Sequence, residues 1–166
     1  MKKRILIVED EKIISEDLKL YIINFGYEVV EIAATCDEAI RMAKDFIPDL
    51  VLMDIKLEGN CTGLDAAKEI YQKLHIPIIF ITAYSDDEFL EKATESVPYG
   101  YLIKPIDENR LYATLKMTFH NIEKDKRITE YLSSRIEKSR KIKKQNVLNE
   151  ILKAIKEKIF LKNVNP

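Results

Sequence analysis

The stretch Leu50-Val51-Leu52-Met53-Asp54 decides the fold: four consecutive apolar residues run without polar alternation into a single carboxylate. A strand with one wet face alternates apolar and polar positions, so an unbroken run of this length reads as a strand covered on both faces, as in a parallel sheet. Four more runs of strand length and strand composition lie around it, at residues 5–8, 28–33, 78–81 and 101–103. Helical patterns separate them. Ile13, Ile14, Leu18, Tyr21 and Ile22 recur at helical spacing and stop at Gly26. Thr35 and Glu38 form a T-x-x-E capping box ahead of Ala39, Ile40 and Ala43, with Pro48 beyond the end. Further helical segments are expected at about 64–74 and 86–95, and Asp107 caps one carrying Leu111, Leu115, Phe119 and Ile122.

Five β-α repeats with short loops predict a doubly wound α/β fold, with a five-stranded parallel sheet in the flavodoxin-like order 2-1-3-4-5 and a C-terminal helical extension. The 166 residues suit one domain, here 1–123, plus an appendage at 124–166. With 46% hydrophobic and 33% charged residues, the composition is neither disordered nor fibrous. No apolar run approaches the roughly 18 residues needed to span a bilayer, so no membrane association is expected. Cys36 and Cys61 lie far apart with no CxxC pattern or His neighbour, which supports neither a zinc site nor a disulfide framework; a reducing cytoplasm is the expected compartment.

In doubly wound sheets ligands bind beyond the carboxyl ends of the strands. The residues there are Glu9, Asp10 and Glu11 after the first strand, Asp54 after the third, Thr82 after the fourth, and Lys104 and Pro105 after the fifth. Carboxylates gathered at one rim repel one another unless a cation sits among them, and a hard divalent ion such as Mg²⁺ accepts oxygen ligands while leaving room for water and phosphate. The Thr82 hydroxyl and Lys104 ammonium then supply a donor and a counter-charge for phosphoryl oxygens. The pattern is that of a phosphoryl-transfer site with an aspartate nucleophile.

The segments ILIVEDE (5–11), LVLMDIKL (50–57), IIFITAYS (78–85) and YLIKPID (101–107) resemble the receiver (phosphoacceptor) domain of two-component response regulators. Their separations match too: Asp10 to Asp54 is 44 positions and Thr82 to Lys104 is 22. The resemblance covers about residues 3–122. It implies that Asp54 is the phosphoacceptor, and that Asp10 and Asp54 ligate Mg²⁺ with the backbone carbonyl of Lys56, Glu9 assisting through water. It further implies that Thr82 is the switch hydroxyl, Tyr101 the switch aromatic and Lys104 the phosphate partner, with a cis bond to Pro105. A sensor histidine kinase is the implied phosphodonor, and no turnover enzyme of metabolism is expected. The loop Glu58-Gly59-Asn60-Cys61-Thr62 departs from the family pattern: it lacks the usual Pro, and Gly63 falls one position late.

Rival chemistries fit less well. An FMN binder needs a Ser/Thr/Gly-rich loop after the first strand, where this chain has acids. A phosphatase resembling haloacid dehalogenases needs a second acid two residues after its nucleophile, where Lys56 stands. His120 is expected to be a surface helix residue.

Charge is divided unevenly. Residues 1–123 hold 14 Lys/Arg against 23 Asp/Glu, a net of −9, while residues 124–166 hold 13 against 5, a net of +8. The final domain helix should run on past residue 122 with Ile128, Leu132 and Ile136 as an apolar stripe. A basic break at 139–145 then precedes a second amphipathic helix carrying Leu148, Ile151, Leu152, Ile155 and Ile159. Such stripes need a partner: a second copy in a homodimer, the second tail helix folded back, or a downstream signalling protein. Nucleic-acid contact through the basic tail is the alternative, although no helix-turn-helix pattern is present.

Overall fold

The computed structural model describes residues 2–83 and 99–164, with side chains to residue 153. Strands β1 (Arg4–Val8), β2 (Glu28–Ala33), β3 (Leu50–Asp54), β4 (Ile78–Thr82) and β5 (Gly100–Ile103) form one parallel sheet in the order β2-β1-β3-β4-β5, as the sequence predicts. Helices α1 (Lys12–Asn24), α2 (Cys36–Phe46) and α3 (Gly63–Leu74) connect the first four strands, and α4 (Glu108–Val164) follows β5. The helical segment expected at 86–95 lies outside the described residues.

Every residue of β3 and β4 is buried, whereas the edge strands β2 and β5 keep exposed positions. This is why the 50–53 run carries no alternation: helices cover both faces. Leu6, Val8, Val51, Met53, Ile78 and Phe80 pack with Ala39, Ala43, Ala66, Ala67 and Ile70 of α2 and α3. The intervening strand positions Ile5, Ile7, Leu50, Leu52, Ile79 and Ile81 are fully buried on the opposite face, as the two-residue side-chain period requires. Leu18 and Ile22 of α1 and Leu111 and Leu115 of α4 are buried as well. Tyr27 and Phe119 rings meet at 5.2 Å, and Phe25 and Tyr112 at 4.9 Å.

Local signals end the helices where they were expected to. Gly26, at φ +85°, takes the left-handed turn after α1 that a side chain would disfavour. Thr35 accepts a hydrogen bond from the Glu38 amide at the start of α2. A second box, less obvious in sequence because Asp replaces the usual Glu, starts α3: Thr62 Oγ1 accepts from the Asp65 amide and the Thr62 amide donates to Asp65 Oδ2.

The chain divides into two units, Met1–His120 and Asn121–Pro166. In the second, the expected break at 139–145 is absent, because α4 continues as one helix to Val164. A second, folded-back tail helix is therefore corrected to a single helix. The reason is local: no Gly or Pro interrupts 108–164, and Lys, Arg and Gln, which fill the basic run, are good helix formers. Pairs one turn apart, Glu123–Arg127 at 3.8 Å and Glu137–Lys141 at 3.3 Å, accompany it. Every side chain from 124 to 153 is exposed.

Candidate functional site

Strand register builds the site. Val8 lies opposite Met53, Asp54 opposite Ile81, and Thr82 opposite Ile103, so the residues that end these strands emerge at one edge. Backbone bonds hold the ends in place: the Glu9 amide donates to Ala33 O at 2.9 Å, the Ile55 amide to Ile81 O at 3.0 Å and the Lys104 amide to Thr82 O at 2.7 Å. A cleft lined by Asp10, Asp54, Lys56, Cys61, Thr82 and Lys104 opens there.

Carboxylate oxygens of Glu9, Asp10 and Asp54 all lie within 4.8 Å of one another. Glu9 and Asp54 are buried, Asp10 half-buried. Asp54 Oδ1 accepts from the Lys56 amide at 2.9 Å, and Oδ2 pairs with Lys104 Nζ at 2.6 Å. The same Nζ donates to Glu9 Oε1 at 3.0 Å. It also lies 2.9 Å from Glu9 Oε2, close enough for charge attraction but off the line of a hydrogen bond, so Oε2 is buried without a hydrogen-bond partner. Glu11 is a more distant, exposed neighbour of Lys104 at 3.7 Å, where solvent weakens the attraction.

Burial pushes the Glu9 carboxyl up to about 7; the Lys104 hydrogen bond opposes this and the charge of Asp54 adds to it. Burial works against the charge on Lys104, but hydrogen bonds and attraction to Asp54 and Glu9 outweigh it and raise the ammonium above its ordinary value. One lysine thus pairs closely with two of the three clustered acids. The orphaned Glu9 oxygen, the mutual repulsion and the all-oxygen donor set fit a hard divalent cation.

Thr82 is buried at the end of β4. Tyr101, on β5, points inward against the core; burial raises its phenol, and the neighbouring Thr82 hydroxyl partly offsets this. The two hydroxyls are neighbours without a well-formed hydrogen bond, since Tyr101 Oη is buried and unsatisfied. The Lys104–Pro105 bond is cis. The structure therefore brings Glu9, Asp10, Asp54, Thr82, Tyr101 and Lys104 to one edge; Lys56 is tied to Asp54 through its amide.

Two features escaped the sequence reading. Gly63 packs so tightly under the site that a Cβ there would fall on the carbonyl oxygen of Asp54, and its amide donates to Ile55 O at 2.9 Å. Its displaced position in the sequence was the available signal. Cys36 and Cys61 are joined by a disulfide, which corrects the expectation of none. Separated by 25 positions in sequence, they meet because α2 and α3 pack side by side on one face, bringing the start of α2 against the loop before α3.

A family model, the response regulator receiver domain, matches residues 5–116. The chain belongs to that family. It is 37% identical over 115 residues to the transcriptional regulatory protein PdtaR of Mycobacterium tuberculosis, covering 69% of this chain and 56% of that protein. It is 32% identical to the transcriptional regulatory protein YdfI of Bacillus subtilis, covering 93% and 78%. The chain thus spans only about half the length of PdtaR. Among solved structures, a CheY-like receiver domain protein from Methanospirillum hungatei superposes with a TM-score of 0.70 at 29% identity, over 75% of this chain and 99% of that one. Among the described residues, no helix is long and apolar enough to cross a membrane.

Proposed function

We propose that the protein takes a phosphoryl group onto Asp54 from the phosphohistidine of a sensor histidine kinase and signals through the change this makes at the sheet edge. The supporting observation is the pairing of Lys104 Nζ with Asp54 Oδ2 at 2.6 Å beside two further acids. An Asp54 oxygen attacks phosphorus; the O–P bond forms as the P–N bond breaks, and the imidazole leaves with a proton taken from water. Asp10, Asp54 and the Lys56 carbonyl would hold Mg²⁺, with Glu9 assisting through water; the ion supplies positive charge against the phosphoryl oxygens.

Lys104 is already placed to exchange a carboxylate oxygen for a phosphoryl one. The Thr82 hydroxyl donates to the same group, and the unsatisfied Tyr101 hydroxyl follows Thr82, so occupancy at Asp54 biases the ends of β4 and β5. Output then passes by protein contact. The exposed Ile128, Leu132 and Ile136 of α4 favour pairing with a second copy or a downstream protein.

Incubation with a small phosphodonor and Mg²⁺ should add one acid-stable, base-labile acyl phosphate, absent from Asp54→Asn. Equal labelling of the variant would overturn the assignment.

A further inference from the structure

We propose that Cys36 and Cys61 form a reversible thiol–disulfide pair, taking small-molecule disulfides as co-reactant, whose state sets the mobility of the loop at 55–62 beside Asp54. The significance of this loop rests on the phosphoacceptor reading above; its redox chemistry does not.

Three placements carry the inference. The two Cα atoms are 6.1 Å apart, inside the range that a disulfide bridges without moving the backbone. Cys36 is the first residue of α2, 5% exposed and fixed by the capped helix start, so it is the stationary partner. Cys61 sits on the other side in an irregular loop, half-buried, and lines the same cleft as Asp54 and Lys104. The bond therefore ties the loop to α2 close to its α3 end, and both ends of the loop are held at the site. At one end the Lys56 amide donates to Asp54 Oδ1 at 2.9 Å; at the other Gly63 abuts the Asp54 carbonyl. Between them Gly59, at φ +112°, gives the loop a backbone conformation that few other residues share. With the bond opened, the loop loses its covalent cross-link to α2.

The step balances. The more accessible Cys61 thiolate attacks one sulfur of a disulfide RS–SR, forming Cys61–S–SR and releasing RS⁻, which takes up a proton. The Cys36 thiolate then attacks Cys61 Sγ, closing the protein disulfide and releasing the second RS⁻. Two protein thiols are oxidised by two electrons, and RS–SR is reduced to two RSH. An excess of RSH runs both steps backwards.

The test uses the full chain equilibrated in buffers of reduced and oxidised glutathione at varied ratio, then acid-quenched. Non-reducing peptide mapping should show a Cys36–Cys61 peptide that appears and disappears reversibly with the ratio. Amide exchange at 57–62 should be about tenfold or more faster in the reduced form, with α1 unchanged. Cys61→Ser should exchange like the reduced protein in both buffers. A pair that never bridges, stays oxidised in excess thiol, or bridges without altering exchange overturns the proposal. Phosphodonor labelling is read in parallel: if neither form labels while thiols and exchange respond, the phosphoacceptor reading fails and the redox pair stands.

Discussion

Ile5, Leu6, Ile7 and Val8 in β1 are 0% exposed, whereas Ile128, Leu132 and Ile136 in α4 are 47%, 53% and 54% exposed. The residue types are nearly the same. What differs is the number of covered sides: β1 lies between two strands and two helical layers, while the second unit is one helix. Apolar surface in water gains nothing for the fold until something covers it, at roughly 1.5–3 kcal/mol for each side chain fully buried. The first unit therefore accounts for its own stability, and the second offers an apolar face with its energy unspent.

The comparison breaks first in the core. Leu52, fully buried in β3, should destabilise the first unit by about 2–5 kcal/mol on replacement by Ala, because the lost contacts leave a cavity that rigid strands cannot close. Denaturant unfolding followed by tyrosine fluorescence would measure it. A loss below about 1 kcal/mol would mean the sheet repacks more freely than its helix layers suggest.

A smaller effect concerns charge. The described side chains of 124–153 all face water, so pH dependence near neutrality should arise in the first unit, at Glu9. Burial pushes its carboxyl from an ordinary 4.5 up to about 7 in the folded state, so the folded state holds a proton that the unfolded state has released across this window. Stability is then full below about pH 4.5 and falls as pH rises to about 7, by up to about 3 kcal/mol from this group. In EDTA, Glu9→Gln should flatten the fall between pH 5 and 8; the slope, and not the offset from losing a Lys104 partner, is diagnostic. Parallel profiles for the two proteins would place the proton elsewhere. Mg²⁺ should reverse the trend by favouring the charged carboxylate, with proton uptake by buffer as the readout.

Much of this was legible beforehand, for physical reasons that differ by element. The uninterrupted 50–53 run could only suit a strand with two covered faces, and with Gly26 and the Thr35 cap it fixed the sheet and its connections. Asp10, Asp54, Thr82 and Lys104 stood out because each lies at or just past the carboxyl end of a strand, and the aligned strand ends then converge. The Cys36–Cys61 bond was not legible, since it depends on the neighbouring placement of two helices and leaves no local spacing signature. Nor was the continuity of α4: a charge run resembles a linker in sequence, but its residues each favour helix and nothing in it stops one. The orphaned Glu9 oxygen is likewise a product of tertiary burial alone.

The smallest effect on folding sharpens the comparison most. Leu132, at 53% exposure, should cost less than about 0.5 kcal/mol of the chain's unfolding free energy on replacement by Ala at micromolar concentration, because few contacts within the chain are lost. If the apolar face of α4 pairs with a second copy, the same substitution should nonetheless weaken self-association. Removing a leucine side chain covered on pairing would forfeit about 2 kcal/mol for each copy, enough to raise the dissociation constant several hundredfold for a symmetric pair. Sedimentation equilibrium of the wild-type and Leu132→Ala chains, with Lys141→Ala as an exposed control on the same helix, separates the cases. A wild-type dimer that Leu132→Ala dissociates and Lys141→Ala leaves intact supports pairing through this stripe. A monomer throughout assigns the face to a different protein, whereas a dimer indifferent to Leu132 moves the interface off the stripe.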